Sequence, residues 1–144
     1  MKKTQTDLCR LLISIVAATV SAVSFADQAL TPDTLITPLM EKPLANRAAA
    51  VAGLLTVEYA PGASTPPHSH PADTFVYVLE GAIEMQVAGG QLTVLKKGET
   101  FYELPTDKHT VSRNASKTER AKFLVMFVKE KSAELVAPEP PVSP

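Results

Sequence analysis

Three histidines are the residues of this 144-residue chain whose types and spacing favour metal chemistry. His68 and His70 are two positions apart, and such neighbours on an extended strand point to the same face. Imidazoles that share one face of a sheet are a common way to hold a transition metal ion. His109 lies in a second strand-like run, so convergence of the three would commit every histidine of the protein to one site.

Two carboxylates lie within reach of this site along the chain. Glu103 shares strand parity with Phe101. It is a candidate catalytic proton acceptor, or a partner of a metal ligand, if that face looks inward, and a surface residue if it looks outward. Asp73 approaches the histidines only if the loop after His70 bends inward, and otherwise it is a solvated loop residue.

The first 26 residues have the layout of a secretory signal peptide. A basic start precedes the uncharged run Leu11–Ala26, which carries small residues at the −3 and −1 positions of a cut before Asp27. A membrane anchor would need about 20 apolar residues. We therefore predict a periplasmic or secreted protein whose mature form starts at or near Asp27 and has no membrane segment.

The composition of the mature chain excludes several classes of function. The only cysteine, Cys9, leaves with the signal peptide, which excludes disulfides, cysteine–zinc sites and cysteine nucleophiles. Losing three basic residues and one acidic residue from totals of 14 and 15 leaves a net charge of −3. The sequence has no cluster of basic residues of the kind that would indicate nucleic acid or an anionic membrane as a partner. The expected partner is a small molecule.

Short runs rich in β-branched and aromatic residues, bounded by Gly and Pro, predict an all-β sandwich or barrel over residues 51–131. Before it, residues 27–50 form an extended N-terminal arm with room for a helical turn near Leu39–Lys42. After it, the Pro-rich tail 132–144 is expected to be disordered. The predicted strands are Leu54–Tyr59, Thr74–Leu79, Ile83–Val87, Gln91–Leu95, Thr100–Leu104, His109–Ser112 and Lys122–Lys129.

One of these strands, Thr74–Leu79, is apolar on both faces, so both faces require cover. The barrel interior covers one face. The other face, which carries Phe75, Tyr77 and Leu79, is expected to contact a second subunit or the arm Leu30–Leu44. A homodimer is the predicted assembly.

The chain resembles the cupin family through two motifs. The first is Gly-x5-His-x-His-x3-4-Glu-x6-Gly, and the second begins with Gly and has a histidine eleven positions later. The residues in register are Gly62, His68, His70 and Gly81 in the first, and Gly98 and His109 in the second. The resemblance is to a small single-domain cupin with one conserved barrel. It implies a double-stranded β-helix, also called a jelly-roll barrel, and a metal site built on the matching histidines.

The same resemblance locates a departure from the family pattern. Thr74 stands where the family has a glutamate ligand, with Asp73 one residue earlier. What remains is a three-histidine centre for a mononuclear divalent metal, such as Fe, Mn, Ni, Cu or Zn. Two functions follow from it: a metal-dependent enzyme, dioxygenase-like or isomerase/lyase-like, acting on a small molecule, or a non-catalytic module that binds metal or a small ligand. The sequence does not decide between them.

Overall fold

The structure, a computed structural model, describes residues 33–139. The predicted signal peptide lies outside these residues. Within them the chain forms ten strands and no helix, so no helix there is long or apolar enough to cross a membrane. The strands are β1 (Thr34–Leu44), β2 (Arg47–Tyr59), β3 (His68–Ser69), β4 (Ala72–Glu80), β5 (Ala82–Val87), β6 (Thr93–Lys96), β7 (Thr100–Glu103), β8 (Lys108–Asn114), β9 (Ala121–Glu130) and β10 (Ala137–Pro138).

The strands form two five-stranded antiparallel sheets, ordered β1-β2-β9-β4-β7 and β10-β3-β8-β5-β6. Their inner faces share one apolar core, because Val76 and Phe123 of the first sheet cluster with Ile83, Met85 and Leu95 of the second. Buried residues alternate with exposed or half-buried ones along β4 and β9 of the first sheet and β5 of the second, which directs one face of each sheet into this core. The all-β jelly-roll architecture predicted from the sequence is confirmed.

All seven predicted strands are present, as β2 and β4 to β9. The largest boundary difference is at β2, which begins at Arg47 rather than Leu54. Its first part is rich in alanine, so it carries little of the β-branched signal that marks a strand. Tertiary pairing with β1 extends it.

The N-terminal arm is an edge strand in the described residues, and the helical turn considered near Leu39–Lys42 is wrong. This segment belongs to β1, which pairs along β2. The pairing register shifts near Pro38 and again after Pro43. Proline cannot donate a ladder hydrogen bond, so an edge strand with irregular register is where it is tolerated. Because proline is rare in strands, the same prolines prevented the prediction of β1 from the sequence.

The prediction of a disordered tail over 132–144 is wrong for the residues that are described, 132–139. Here β10 pairs with β3, so that Ala137 lies opposite Ser69 and Pro138 opposite His68. Glu139 accepts hydrogen bonds from Ser69 at 2.9 Å and Lys108 at 2.8 Å. Proline content predicted disorder, but these long-range contacts hold the segment against the second sheet.

One inward row of the first sheet leads to the histidines. Gly53, Phe127, Thr74 and Glu103 lie side by side on β2, β9, β4 and β7. A Cβ at Gly53 would overlap the far end of the Phe127 ring, so glycine lets that ring approach the backbone of β2 closely. The row therefore brings two buried polar residues, Thr74 and Glu103, to one end of the core.

The outer face of the same sheet carries a second row, here called the outer apolar row. Met40, Leu54, Met126, Phe75 and Tyr102 are successive register partners across all five strands. Four of them are large and exposed by 39% to 46%, and Leu54 is half-buried. As predicted, β4 is therefore apolar on both faces.

Candidate metal centre

The pairing of β3 with β8 brings the three predicted histidines together. His68 is the direct register partner of His109, and their rings stack with centroids 4.9 Å apart and planes 9° from parallel. His70 follows β3, and its ring packs edge-on against both others at 4.9 and 5.6 Å. One nitrogen from each ring lies within 4.8 Å of the other two.

Backbone carbonyls fix how two of these rings are oriented. His68 Nδ1 lies 2.8 Å from the Pro66 carbonyl oxygen, and His70 Nδ1 lies 2.8 Å from that of Leu135. A carbonyl oxygen only accepts, so each Nδ1 carries the proton and donates it. The Nε2 atom of each ring is then unprotonated and available as a metal ligand, which is the usual arrangement behind a metal-binding histidine.

Burial keeps these imidazoles neutral. Desolvation lowers the pKa of His68 to about 4, although its hydrogen bond to Pro66 and the nearby Glu103 both act to raise it. Burial also lowers the pKa of His70, against the opposing effects of Glu103 and the Leu135 carbonyl. Both rings are therefore uncharged at neutral pH, the form that coordinates metal.

Glu103 points into the fold, which resolves the two orientations that the sequence left open. It is the last residue of β7 and is 2% exposed. Its Oε2 lies 2.9 Å from His109 Nε2 and 3.7 Å from His70 Nε2. The structure therefore places a buried carboxylate directly beside the histidines.

Asp73 and Thr74 point in opposite directions. Thr74 is buried in the inner row, and its hydroxyl donates a long hydrogen bond of 3.5 Å to the Ala72 carbonyl. Asp73 instead accepts a 2.6 Å hydrogen bond from the hydroxyl of Tyr102, in the outer apolar row. Of the two residues named at the fourth-ligand position, Thr74 lies in the row that leads to the histidines and Asp73 lies on the other face.

Sequence reasoning missed the part that the C-terminal segment plays here. The Leu135 carbonyl orients His70, and Glu139 binds Ser69 between two of the histidines. A backbone carbonyl leaves no signature in residue type, so no sequence pattern could have identified Leu135. Glu139 lies in a Pro-rich context that pointed instead to disorder.

The donor set fits a divalent transition metal. Both ring nitrogens of His109 and Oε2 of Glu103 are buried, and none has a hydrogen-bond partner within residues 33–139. Buried polar atoms without partners carry a desolvation cost that a bound cation would offset. Imidazole with an added carboxylate suits Fe, Mn, Ni, Cu and Zn.

A family model described as a cupin domain matches residues 55–127, a little over half of the chain. The chain belongs to the cupin family. The matched region runs from β2 to β9 and contains all three histidines. No protein in a search of curated proteins matches the sequence of this cupin.

Solved structures share the fold. A cupin-like protein from Thermotoga maritima has a TM-score of 0.62 at 21% identity and covers 78% of this chain and 80% of its own. A DMSP lyase from Ruegeria pomeroyi has a TM-score of 0.63 at 16% identity and covers 82% and 59%. An oxalate oxidase in complex with glycolate has a TM-score of 0.58 at 23% identity and covers 78% and 58%. At these identities the likeness establishes the cupin jelly roll.

The contact between Leu135 and His70 makes a prediction about the imidazole. Deleting residues 134–144 removes the carbonyl acceptor, so His70 should lose its preference for the Nδ1–H tautomer. Long-range ¹H–¹⁵N NMR of the apo protein at pH 7 reports the tautomer directly. Deletion of 140–144 alone is the matched control and should leave His70 unchanged. Retention of the Nδ1–H tautomer in both truncated proteins would show that the C-terminal segment does not orient the ring.

Proposed function

We propose that this cupin binds one divalent transition metal ion through His68, His70 and His109 and presents it to a small molecule. The observation that carries this proposal is the convergence of three ring nitrogens within 4.8 Å. Its support is that two of the rings already donate Nδ1–H to backbone carbonyls and have pKa values lowered by burial. The residues do not select among Fe, Mn, Ni, Cu and Zn.

A metal bound by three imidazoles supplies Lewis acidity, or a redox centre, to a small molecule that occupies a remaining coordination position. In this proposal the three histidines hold the metal ion and orient its open coordination positions. The apolar core behind them limits the access of water to the ion. Among structures with this fold, one is a lyase and another is an oxidase with glycolate bound. We therefore propose a metal-dependent reaction on a small oxygen-bearing molecule as the activity.

The second candidate is a binding module that holds metal or a small ligand without turnover. The observation that favours it is the scarcity of proton acceptors. Among the described residues, Glu103 is the carboxylate found in ion-pair contact with the histidines, and Asp73 is turned to the outer face. If Glu103 is committed to another role, a catalytic base must come from the bound molecule or from solvent.

Calorimetric titration of apo protein with Zn²⁺ at pH 7 tests the metal site. Wild type should bind one ion per chain, and His70→Ala should weaken binding by at least about tenfold, because two imidazoles hold a divalent ion poorly against water. Asp73→Asn is the control and should bind as wild type does, since this carboxylate faces away. Equal uptake by wild type and His70→Ala, or uptake by neither, would refute the site.

The pH dependence of the same titration differs from what unperturbed histidines predict. If all three imidazoles had a pKa near 6.5, the affinity for Zn²⁺ would fall about fiftyfold between pH 7.5 and pH 6.0, because protons compete with the metal for each ring. Burial lowers the pKa of His68 and His70, so protons begin to displace the metal from these two rings only at a lower pH. We therefore expect the affinity to fall by much less than about fiftyfold over this interval. A fiftyfold decrease would show that these rings are not desolvated in the apo protein.

We also propose that the protein is exported, on the support of its first 26 residues. A basic start, an uncharged run and small residues before Asp27 make up that support. The intact mass of the exported form should correspond to a chain that begins at or near Asp27. A full-length protein retained in the cytoplasm would contradict this proposal.

A homodimer built on the outer face of the first sheet completes the proposal. Its support is the outer apolar row together with Tyr77, which is 44% exposed beside Phe75 on β4. A groove of about 290 Å³ is bordered by Phe75, Tyr77, Tyr102 and Met126, and it also includes Leu124. The described part of the arm segment Leu30–Leu44 is β1, which is separated from β4 by β2 and β9, so a second copy is the occupant we propose for this face.

Size-exclusion chromatography with light scattering tests the dimer. Wild type should have the mass of two chains at micromolar concentration, and Phe75→Lys should shift it to one, because a buried lysine opposes association. Leu92→Lys is the control, since Leu92 is 46% exposed outside the first sheet. A monomeric wild type, or a dimer unaffected by Phe75→Lys, would rule out this interface.

A further inference from the structure

The family's fourth-ligand position and Glu103 are neighbours across one strand pair. Thr74, which stands at that position, is the direct register partner of Glu103 on β7. Both side chains point into the core and both are buried. Paired strands are about 4.8 Å apart, so a carboxylate from β7 needs to reach only one strand further than a carboxylate from β4 would.

We propose that Glu103 is the fourth metal ligand of this cupin, supplied by β7 in place of the glutamate that β4 lacks. The inference deepens the proposed function and rests on it. It gives Glu103 a ligand role instead of the proton-acceptor role considered from the sequence. The chain would then hold its metal with three histidines and one carboxylate, although the carboxylate comes from a different strand.

The distances support a shared centre. Two donor atoms that are each about 2.1 Å from one ion lie about 3.0 Å apart at a right angle and about 3.4 Å apart at a tetrahedral angle. Glu103 Oε2 lies 2.9 Å from His109 Nε2 and 3.7 Å from His70 Nε2. These two separations are of the size expected for neighbouring ligands of one ion. The donor atoms that all lie within 4.8 Å of one another are those of the three histidines, so Glu103 would join the centre from the side of His109 and His70.

A hydrogen bond between Glu103 and His109 does not account for the short contact. Although Glu103 Oε2 and His109 Nε2 are only 2.9 Å apart, neither atom has a hydrogen-bond partner within residues 33–139. A carboxylate that oriented His109 from behind would accept its N–H along the bond. The Glu103–His109 contact lacks this hydrogen bond, and a metal ion shared by the two atoms would account for their closeness.

The experiment is a double-mutant cycle that measures Zn²⁺ affinity by calorimetry on the apo protein. Glu103→Gln keeps the shape of the side chain and removes its charge, and it should weaken binding by at least about tenfold. Adding Thr74→Glu to this variant should restore affinity to within about threefold of wild type, because β4 then supplies the carboxylate. In the wild-type background Thr74→Glu should gain little, since it places two buried carboxylates opposite each other.

A spectroscopic readout accompanies the cycle. The visible absorption of bound Co²⁺ depends on its ligands, so it should change in Glu103→Gln and return towards wild type in the double variant. Circular dichroism confirms that each variant is folded before its affinity is compared.

The outcomes separate this inference from the proposed function. If Glu103→Gln binds Zn²⁺ as wild type does while His70→Ala loses it, Glu103 is not a ligand and the three-histidine site stands. If Thr74→Glu improves Zn²⁺ affinity equally in wild type and in Glu103→Gln, Glu103 does not occupy the fourth ligand position, and the inference is again overturned. If wild type and His70→Ala do not differ, the metal site itself fails and this inference fails with it.

Discussion

Antiparallel strand register is the constraint on which the rest of this structure depends. Pairing of β3 with β8 sets His68 opposite His109, and pairing of β4 with β7 sets Thr74 opposite Glu103. Side chains alternate between faces with a period of two, so a slip of one residue in either pair would turn its polar groups away from the centre. The site is therefore specified by the same ladders that build the two sheets.

Desolvation of the polar side chains is the second property that defines the site. The site gathers imidazoles and a carboxylate at the end of an apolar core, where burial lowers the pKa of His68 and His70. Buried polar atoms are ordinarily paired, yet both nitrogens of His109 and Oε2 of Glu103 have no hydrogen-bond partner in the described part of the chain. The backbone carbonyls behind His68 and His70 occupy one nitrogen of each ring and leave the other free. The metal ion that we propose here would interact with these buried atoms and offset the cost of their desolvation.

Much of this could be predicted from the sequence, and the remainder depended on contacts that residue types do not encode. Seven strands were visible because β-branched and aromatic runs ended at Gly or Pro, and the histidine spacing predicted one shared site. The orientation of Glu103 required knowing which face of β7 meets the core. The edge strand β1 was hidden by its prolines, and the C-terminal segment was hidden by a composition typical of disorder. In both places tertiary pairing outweighed local propensity.

The most direct measurement of the central claim is elemental analysis of the protein purified from its native source without chelators. Inductively coupled plasma mass spectrometry on the folded protein should find one first-row transition metal ion per chain, which would also identify the metal. A folded native protein with far less than one such ion per chain would contradict the account of this cupin as a metal protein.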